Sequence, residues 1–260
     1  MEPLVLTRVD GQVGTLTMNR TAKLNALSEA LTEAMFEALE DFRAHGVRAV
    51  ILRAPPGVRV WSAGHDVGEL PHTRRDPLAW ADPLRRIIRQ IGEFPAPVIA
   101  QIEGSVWGGG CELALACDIT VACPGVTFAI TPAKLGIPYN MTGLLNFMNV
   151  VPLPLLKEMA FTARPVAAER MWTAGVINHV IHPDRIDAFT FDIAREIAAN
   201  APLSVSAMKE SLRILAAAHT ISPDGFERLQ AARRIAWDSK DYMEGIDAFL
   251  ERRPPVFTGA

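Results

Sequence analysis

The 260-residue chain has little of what marks several common protein classes. It carries only three cysteines, at 111, 117 and 123. An odd count without metal or redox spacing argues against a disulfide framework and reads as small buried apolar residues in a reducing compartment. It has no basic excess: the formal net charge is −3, so no global electrostatic footprint for nucleic acid exists. Arg85, Arg86 and Arg89 form a local basic group whose helical spacing reads as a solvated face. No apolar run approaches membrane-spanning length. The opening Met-Glu-Pro-Leu-Val-Leu-Thr lacks the organisation of a signal peptide. None of the six histidines belongs to a His-Glu-x-x-His motif, and His179 and His182 read as surface or structural residues. The expectation is a cytoplasmic protein with no metal, no membrane partner and no nucleic-acid partner.

Apolar residues make up 49% of the chain, which is enough for a substantial core. Leu4–Val9 and Val13–Met18 flank Asp10-Gly11 and predict a hairpin. Ser28 is placed to cap a helix over Glu29–Ala44, followed by a short buried strand at Ala49–Leu52. Residues 55–81, rich in Gly, Pro and Asp, read as a long, partly irregular active-site loop. A helix over Leu84–Ile91 is ended by Pro95 and Pro97. A strand over 98–102, a glycine turn, a helix to about Ala116 and a strand over 118–122 follow. This repeated strand-then-helix order implies an α/β fold with a mainly parallel sheet. After about residue 186 the pattern is helical throughout, over Ile186–Ala199, Pro202–Ala217, Pro223–Ile235 and Lys240–Arg252.

The most informative stretch is Glu103-Gly-Ser-Val-Trp-Gly-Gly-Gly-Cys-Glu-Leu113. Glycines 108–110 let another group approach the backbone, and the first N–H groups of the following helix have no intrahelical partner. Such a turn could hold a polarised oxygen, bind a phosphate or merely permit tight packing. A second segment, Val60-Trp-Ser-Ala-Gly-His-Asp66, also follows a strand and could offer the His65 N–H. Two converging backbone donors would stabilise a developing enolate oxygen.

These two segments resemble the oxyanion-hole segments of the crotonase (enoyl-CoA hydratase/isomerase) superfamily, and Lys23-Leu-Asn-Ala-Leu27 resembles its CoA-binding element. The resemblance covers essentially the whole chain. Thr131-Pro-Ala-Lys-Leu-Gly-Ile-Pro-Tyr-Asn140, with Gly64-His-Asp66 and Phe249-Leu-Glu-Arg-Arg253, is similar to the biotin-independent methylmalonyl-CoA decarboxylases within it. The resemblance implies a crotonase-type spiral of ββα units over residues 1–185 and a C-terminal helical trimerisation region over 186–260. It also implies a homotrimer or homohexamer acting on an acyl-CoA thioester without biotin or metal.

Carried over residue by residue, it places the oxyanion donors at His65 and Gly109, and Thr131 and Tyr139 beside the acyl group. Glu112 occupies the position of the first of the two hydratase glutamates. The second falls in the pattern Phe-x-x-Pro-Glu-x-x-x-Gly, where Phe128-Ala-Ile-Thr-Pro-Ala-Lys-Leu-Gly136 puts Pro132 on the glutamate. The carboxylate pair for ordinary acid–base work is therefore broken, whereas loss of CO2 from a malonyl-type thioester does not need it. For CoA, the resemblance implies Lys23 on phosphate and backbone contacts from Ala26 to adenine. Ala63, His65, Asp66, Val67, Gly68, Glu69 and Leu70 would flank the pantetheine and thioester, and Arg252 would meet a phosphate. Two other readings stay open: an enoyl-CoA hydratase or isomerase using Glu112 alone, and a non-catalytic acyl-CoA- or RNA-binding homologue.

Overall fold

The computed structural model describes residues 2–70 and 80–259. The loop expected over 55–81 therefore lies partly outside the described residues, as does His72. The expected hairpin is present: β1 (Val5–Asp10) and β2 (Val13–Met18) pair antiparallel from Val5↔Met18 to Asp10↔Val13. Gly11 turns the corner at φ 60°, a conformation that costs an L side chain and not glycine. Helix α1 (Glu29–Ala44) begins where Ser28 Oγ accepts the Leu31 N–H at 3.3 Å.

Three ββ units then follow: β3 (Ala49–Arg53) and β4 (Val60–Ser62) lead into α2 (Pro83–Glu93). β5 (Val98–Ile102) and β6 (Ser105–Trp107) lead into α3 (Gly109–Leu115), and β7 (Ile119–Ala122) is followed by β8 (Thr127–Ala129). The first strand of each unit joins one sheet, of order β1-β2-β3-β5-β7, completed by a short strand at His179–Val180; the second joins a smaller sheet, β4-β6-β8, completed by Val166–Ala167. Within each series the units pair in parallel. Advancing one strand per unit in two sheets at once is what makes the chain a spiral, and the implied fold is observed.

The smaller sheet corrects the reading of the sequence. Val60–Ser62 lies in the stretch expected to be irregular, and Ser105–Trp107 in the expected glycine turn, yet both are strands. Strands of three residues carry no alternation to read; their backbone groups are satisfied by one another. The central strands of the large sheet, β3 and β5, are runs of mainly buried apolar residues, as parallel strands covered on both faces require.

The second half is helical, with α4 (Met141–Val150), α5 (Leu153–Thr162), α6 (Ala168–Thr173), α7 (Pro183–Ala199), α8 (Pro202–Ala216), α9 (Pro223–Asp238) and α10 (Lys240–Leu250). α7 buries Ile186, Thr190, Ala194 and Ala198 against the large sheet. α10 ends at Leu250, short of the expected Arg252. Arg252 is left-handed at φ 57°, and the Arg253 N–H returns to the Ala248 carbonyl at 2.9 Å. α8 buries no residue and exposes Leu203, Met208, Leu212 and Leu215. The cysteines are free and buried, as read from the sequence; burial pushes the Cys123 thiol up to about 11. Among the described residues, no helix is long and apolar enough to cross a membrane.

One side chain ties the tail to the spiral. Lys209 Nζ, in α8, donates to the Ile91 and Ala96 carbonyls at 2.9 and 3.1 Å and to Asp118 at 2.7 Å. Lys209→Met removes the cation and leaves those acceptors without it. Asp118 is solvent-accessible, so the expected loss is about 1–2 kcal/mol, the scale of hydrogen bonds to a charged group, read as a lower urea midpoint at unchanged slope.

Candidate active site

A cleft of about 800 Å³ opens between the loop after β4, the N-terminus of α3, the turn after β8 and the end of α10. Its geometry starts from glycines. Gly64 stands at φ 90°, and a methyl group there would lie 2.6 Å from the Trp107 carbonyl and 2.7 Å from the Gly109 nitrogen. A methyl on Gly109 would lie 3.2 Å from the His65 nitrogen. The two loops thus touch backbone to backbone. Among the described residues neither the His65 nor the Gly109 N–H donates to a protein acceptor. Both residues line the cleft. Two neighbouring unpaired donors, one of them at the start of a helix, are the arrangement that stabilising a developing oxyanion requires.

The loop preceding α1 is clipped to this site. The Leu27 N–H donates to Gly64 O at 2.7 Å, and the Asp66 N–H to Leu27 O at 3.3 Å. Arg20 reaches Asp66 at 2.7 Å and the Ala26 carbonyl at 3.0 Å. Partial burial works to raise the Asp66 carboxyl, but Arg20 and the Gly68 N–H outweigh it and hold it below the usual carboxylate range. Asp66 is a brace between loops.

The buried end of the cleft holds the largest departure from the sequence reading. Arg85 is not a solvated cation: its side chain is 4% exposed and pairs with the fully buried carboxylate of Glu112. Arg86 and Arg89 remain outside, Arg86 on Glu33 and Arg89 over the Trp80 ring. Asn146 donates to the other Glu112 oxygen at 3.1 Å. Both oxygens of Glu112 are thus engaged, and the residue sits behind the cleft lining. Arginine spacing could not separate the inward Arg85 from its neighbours, because the partner lies 27 positions away. In front of this pair stands Tyr139, its ring edge-on to Phe147 at 5.4 Å and seated over Gly143. Its hydroxyl is buried with no protein partner among the described residues. Burial, reinforced by Glu112, pushes that phenol well above its ordinary value near 10. Thr131 lies beside the same wall, its hydroxyl 2.9 Å from where a Gly108 methyl would stand.

The structure gathers Lys23, Ala26, Ala63, His65, Asp66, Val67, Gly68, Leu70, Gly109, Thr131, Tyr139 and Arg252 around one cleft. Glu69 does not line it; its carboxylate accepts the Glu29 N–H at 2.8 Å, at the start of α1.

The cleft can be set beside known proteins. A sequence model described as Enoyl-CoA hydratase/isomerase matches residues 8–260. The chain belongs to this family. It is 45% identical over 248 residues to the methylmalonyl-CoA decarboxylase of Escherichia coli (strain K12), covering 95% of each chain. It is 32% identical over 267 residues to the carnitinyl-CoA dehydratase of Salmonella typhimurium, covering 99% of each. A solved methylmalonyl-CoA decarboxylase in complex with 2-nitronate-propionyl-CoA superposes with a TM-score of 0.97 at 43% identity, covering 100% of both chains.

In this enoyl-CoA hydratase/isomerase family member the His65 imidazole is not aimed at solvent. Its Nε2 pairs with Asp82 at 3.0 Å. Burial pulls the imidazole down, but Asp82 outweighs it and holds it above its ordinary 6.5. A group with a raised folded value stabilises the native state most fully below its unfolded value. That contribution is lost as pH rises from 6.5 through the folded value. Urea midpoints taken from pH 6 upwards are expected to fall relative to those of His65→Ala over this window, and to run parallel well above it.

Proposed function

We propose that this chain decarboxylates methylmalonyl-CoA to propionyl-CoA and CO2 through a thioester enolate. One observation carries the reading: Glu112, at the position of the first hydratase glutamate, is locked by Arg85 and Asn146, while among the described residues the His65 and Gly109 N–H groups have no protein acceptor and so can receive an oxyanion. With Glu112 so engaged, its carboxylate is not free to activate water or abstract a proton, whereas the two N–H groups can stabilise an enolate. The methylmalonyl-CoA decarboxylase relatives support the same reading.

In this mechanism the thioester oxygen lies between the His65 and Gly109 N–H groups. The bond from Cα to the carboxylate carbon breaks, CO2 leaves, and the electron pair passes through the carbonyl carbon onto the oxygen. Donors that bind this oxygen more tightly as its charge grows lower the barrier. The carboxylate sits against Thr131 and Tyr139, held out of the thioester plane so that the breaking bond overlaps the π system. A proton from solvent water then adds to Cα, giving propionyl-CoA. Tyr139, whose phenol is a very weak acid here, orients the carboxylate. No biotin or metal is needed for these steps.

CoA recognition falls to Lys23 and Arg252 at the phosphates, to the Ala26 backbone at adenine and to 63–70 along the pantetheine. The exposed apolar residues of α8 support self-association into a trimer or hexamer, checked by sedimentation. The decisive assay is CO2 release from methylmalonyl-CoA with a chelator and avidin present. Tyr139→Phe is expected to lower kcat about tenfold to hundredfold, as loss of the group that orients the bound carboxylate does. Hydration of crotonyl-CoA without CO2 release from methylmalonyl-CoA would overturn the proposal.

A further inference from the structure

The loop carrying His65 and α2, the helix packed against α3, share one buried carboxylate that the mechanism does not use. Asp82, 5% exposed in its side chain, ends the segment before α2. One oxygen accepts the Leu84 and Arg85 N–H groups at 2.9 and 3.4 Å and so caps α2. The other meets His65 Nε2 at 3.0 Å. The residues that follow lie against the other half of the site. A Leu84 methyl stands 2.7 Å from where a Gly109 side chain would begin, and Arg85 reaches Glu112 in the first turn of α3.

We propose that Asp82 is a positioning residue for the oxyanion hole: through the His65 imidazole on one side and the first turn of α2 on the other, it fixes the spacing of the His65 and Gly109 N–H groups. The imidazole is then a strut rather than an acid. Its second nitrogen, Nδ1, lies 3.2 Å from the Asp66 carbonyl, so the ring is held at both ends. A helix cap alone would not need the His65 contact, and a histidine braced only by its own loop would not need the cap. One carboxylate makes both.

The inference rests on the proposed enolate chemistry, and its test separates the two. Asp82→Ala and His65→Ala are compared with the parent protein for kcat and KM on methylmalonyl-CoA and for the affinities of the nitronate analogue of propionyl-CoA and of propionyl-CoA itself. His65→Ala keeps the backbone donor and leaves the α2 cap intact, so it reports on the strut even where Asp82→Ala folds poorly. Both variants are expected to lose about tenfold to hundredfold in kcat, the scale of a sub-ångström to 1 Å misplacement. KM and propionyl-CoA affinity should stay within about threefold while analogue affinity falls in step with kcat. Asp82→Asn, which keeps the capping oxygen and a polar group facing the ring, is expected to recover most of the loss. A lower melting temperature with unchanged kcat, or an equal loss of analogue and propionyl-CoA affinity, would overturn the positioning role. If the parent protein releases no CO2, the decarboxylation reading fails, and the ratio of the two affinities still decides the role of Asp82.

Discussion

Arg85→Met is expected to cost this protein more than any change to a residue lining the mouth of the cleft. The substitution keeps most of the side-chain volume and removes the charge, leaving Glu112 1% exposed and without its cation. An uncompensated buried carboxylate destabilises by about 3–5 kcal/mol. It also repels the carboxylate of a malonyl-type substrate from a neighbouring position, so kcat/KM on methylmalonyl-CoA should fall about a hundredfold or more. The double change Arg85→Met with Glu112→Gln removes both charges. It is expected to restore at least 2 kcal/mol relative to the sum of the single changes and to return kcat/KM to within about tenfold of the parent, the coupling that a direct pair requires. Unfolding curves and CO2 release on the four proteins measure it. Additive losses would show that Arg85 acts elsewhere.

Gly64→Ala is the second large effect. The methyl would meet the Trp107 carbonyl and the Gly109 nitrogen, both backbone, and neither can move without its loop. The His65 and Gly109 N–H groups would be driven apart, and Gly64 O would shift under Leu27, which it holds at 2.7 Å. Losing one oxyanion donor costs about 10²–10³ in kcat, and this change disturbs two. Gly125→Ala provides the control: it shares a positive φ, 77°, but its methyl meets nothing within 4 Å. It should lower stability by about 1–2 kcal/mol through backbone strain alone and leave kcat unchanged.

The parts of this site that the sequence displays are those made by contiguous backbone. The glycine turn before α3 and the Gly64-His65 loop can be read because helix starts and positive-φ positions need particular residues. The missing second glutamate is legible only through the family resemblance, which puts Pro132 at its position. What the sequence hides is pairing across distance. Arg85 looks like its solvated neighbours Arg86 and Arg89 until the fold puts Glu112 beside it. The brace from Arg20 to Asp66 spans 46 residues, and that from Asp82 to His65 spans 17. Asp82-Pro83 does announce a helix start, since a capping carboxylate before a proline suits the first turn. Its second oxygen, on the imidazole, is not visible from that pattern. The small sheet is hidden in the same way, since three-residue strands are defined by their neighbours.

A crystal structure of this protein with the nitronate analogue of propionyl-CoA bound tests the central claim most directly. The expected result is a thioester oxygen within hydrogen-bond distance of both the His65 and Gly109 nitrogens. The nitronate should lie against the Thr131 and Tyr139 hydroxyls, with Glu112 still paired to Arg85. A thioester oxygen held away from the two N–H groups, or Glu112 released from Arg85 and turned to the acyl group, would contradict the account.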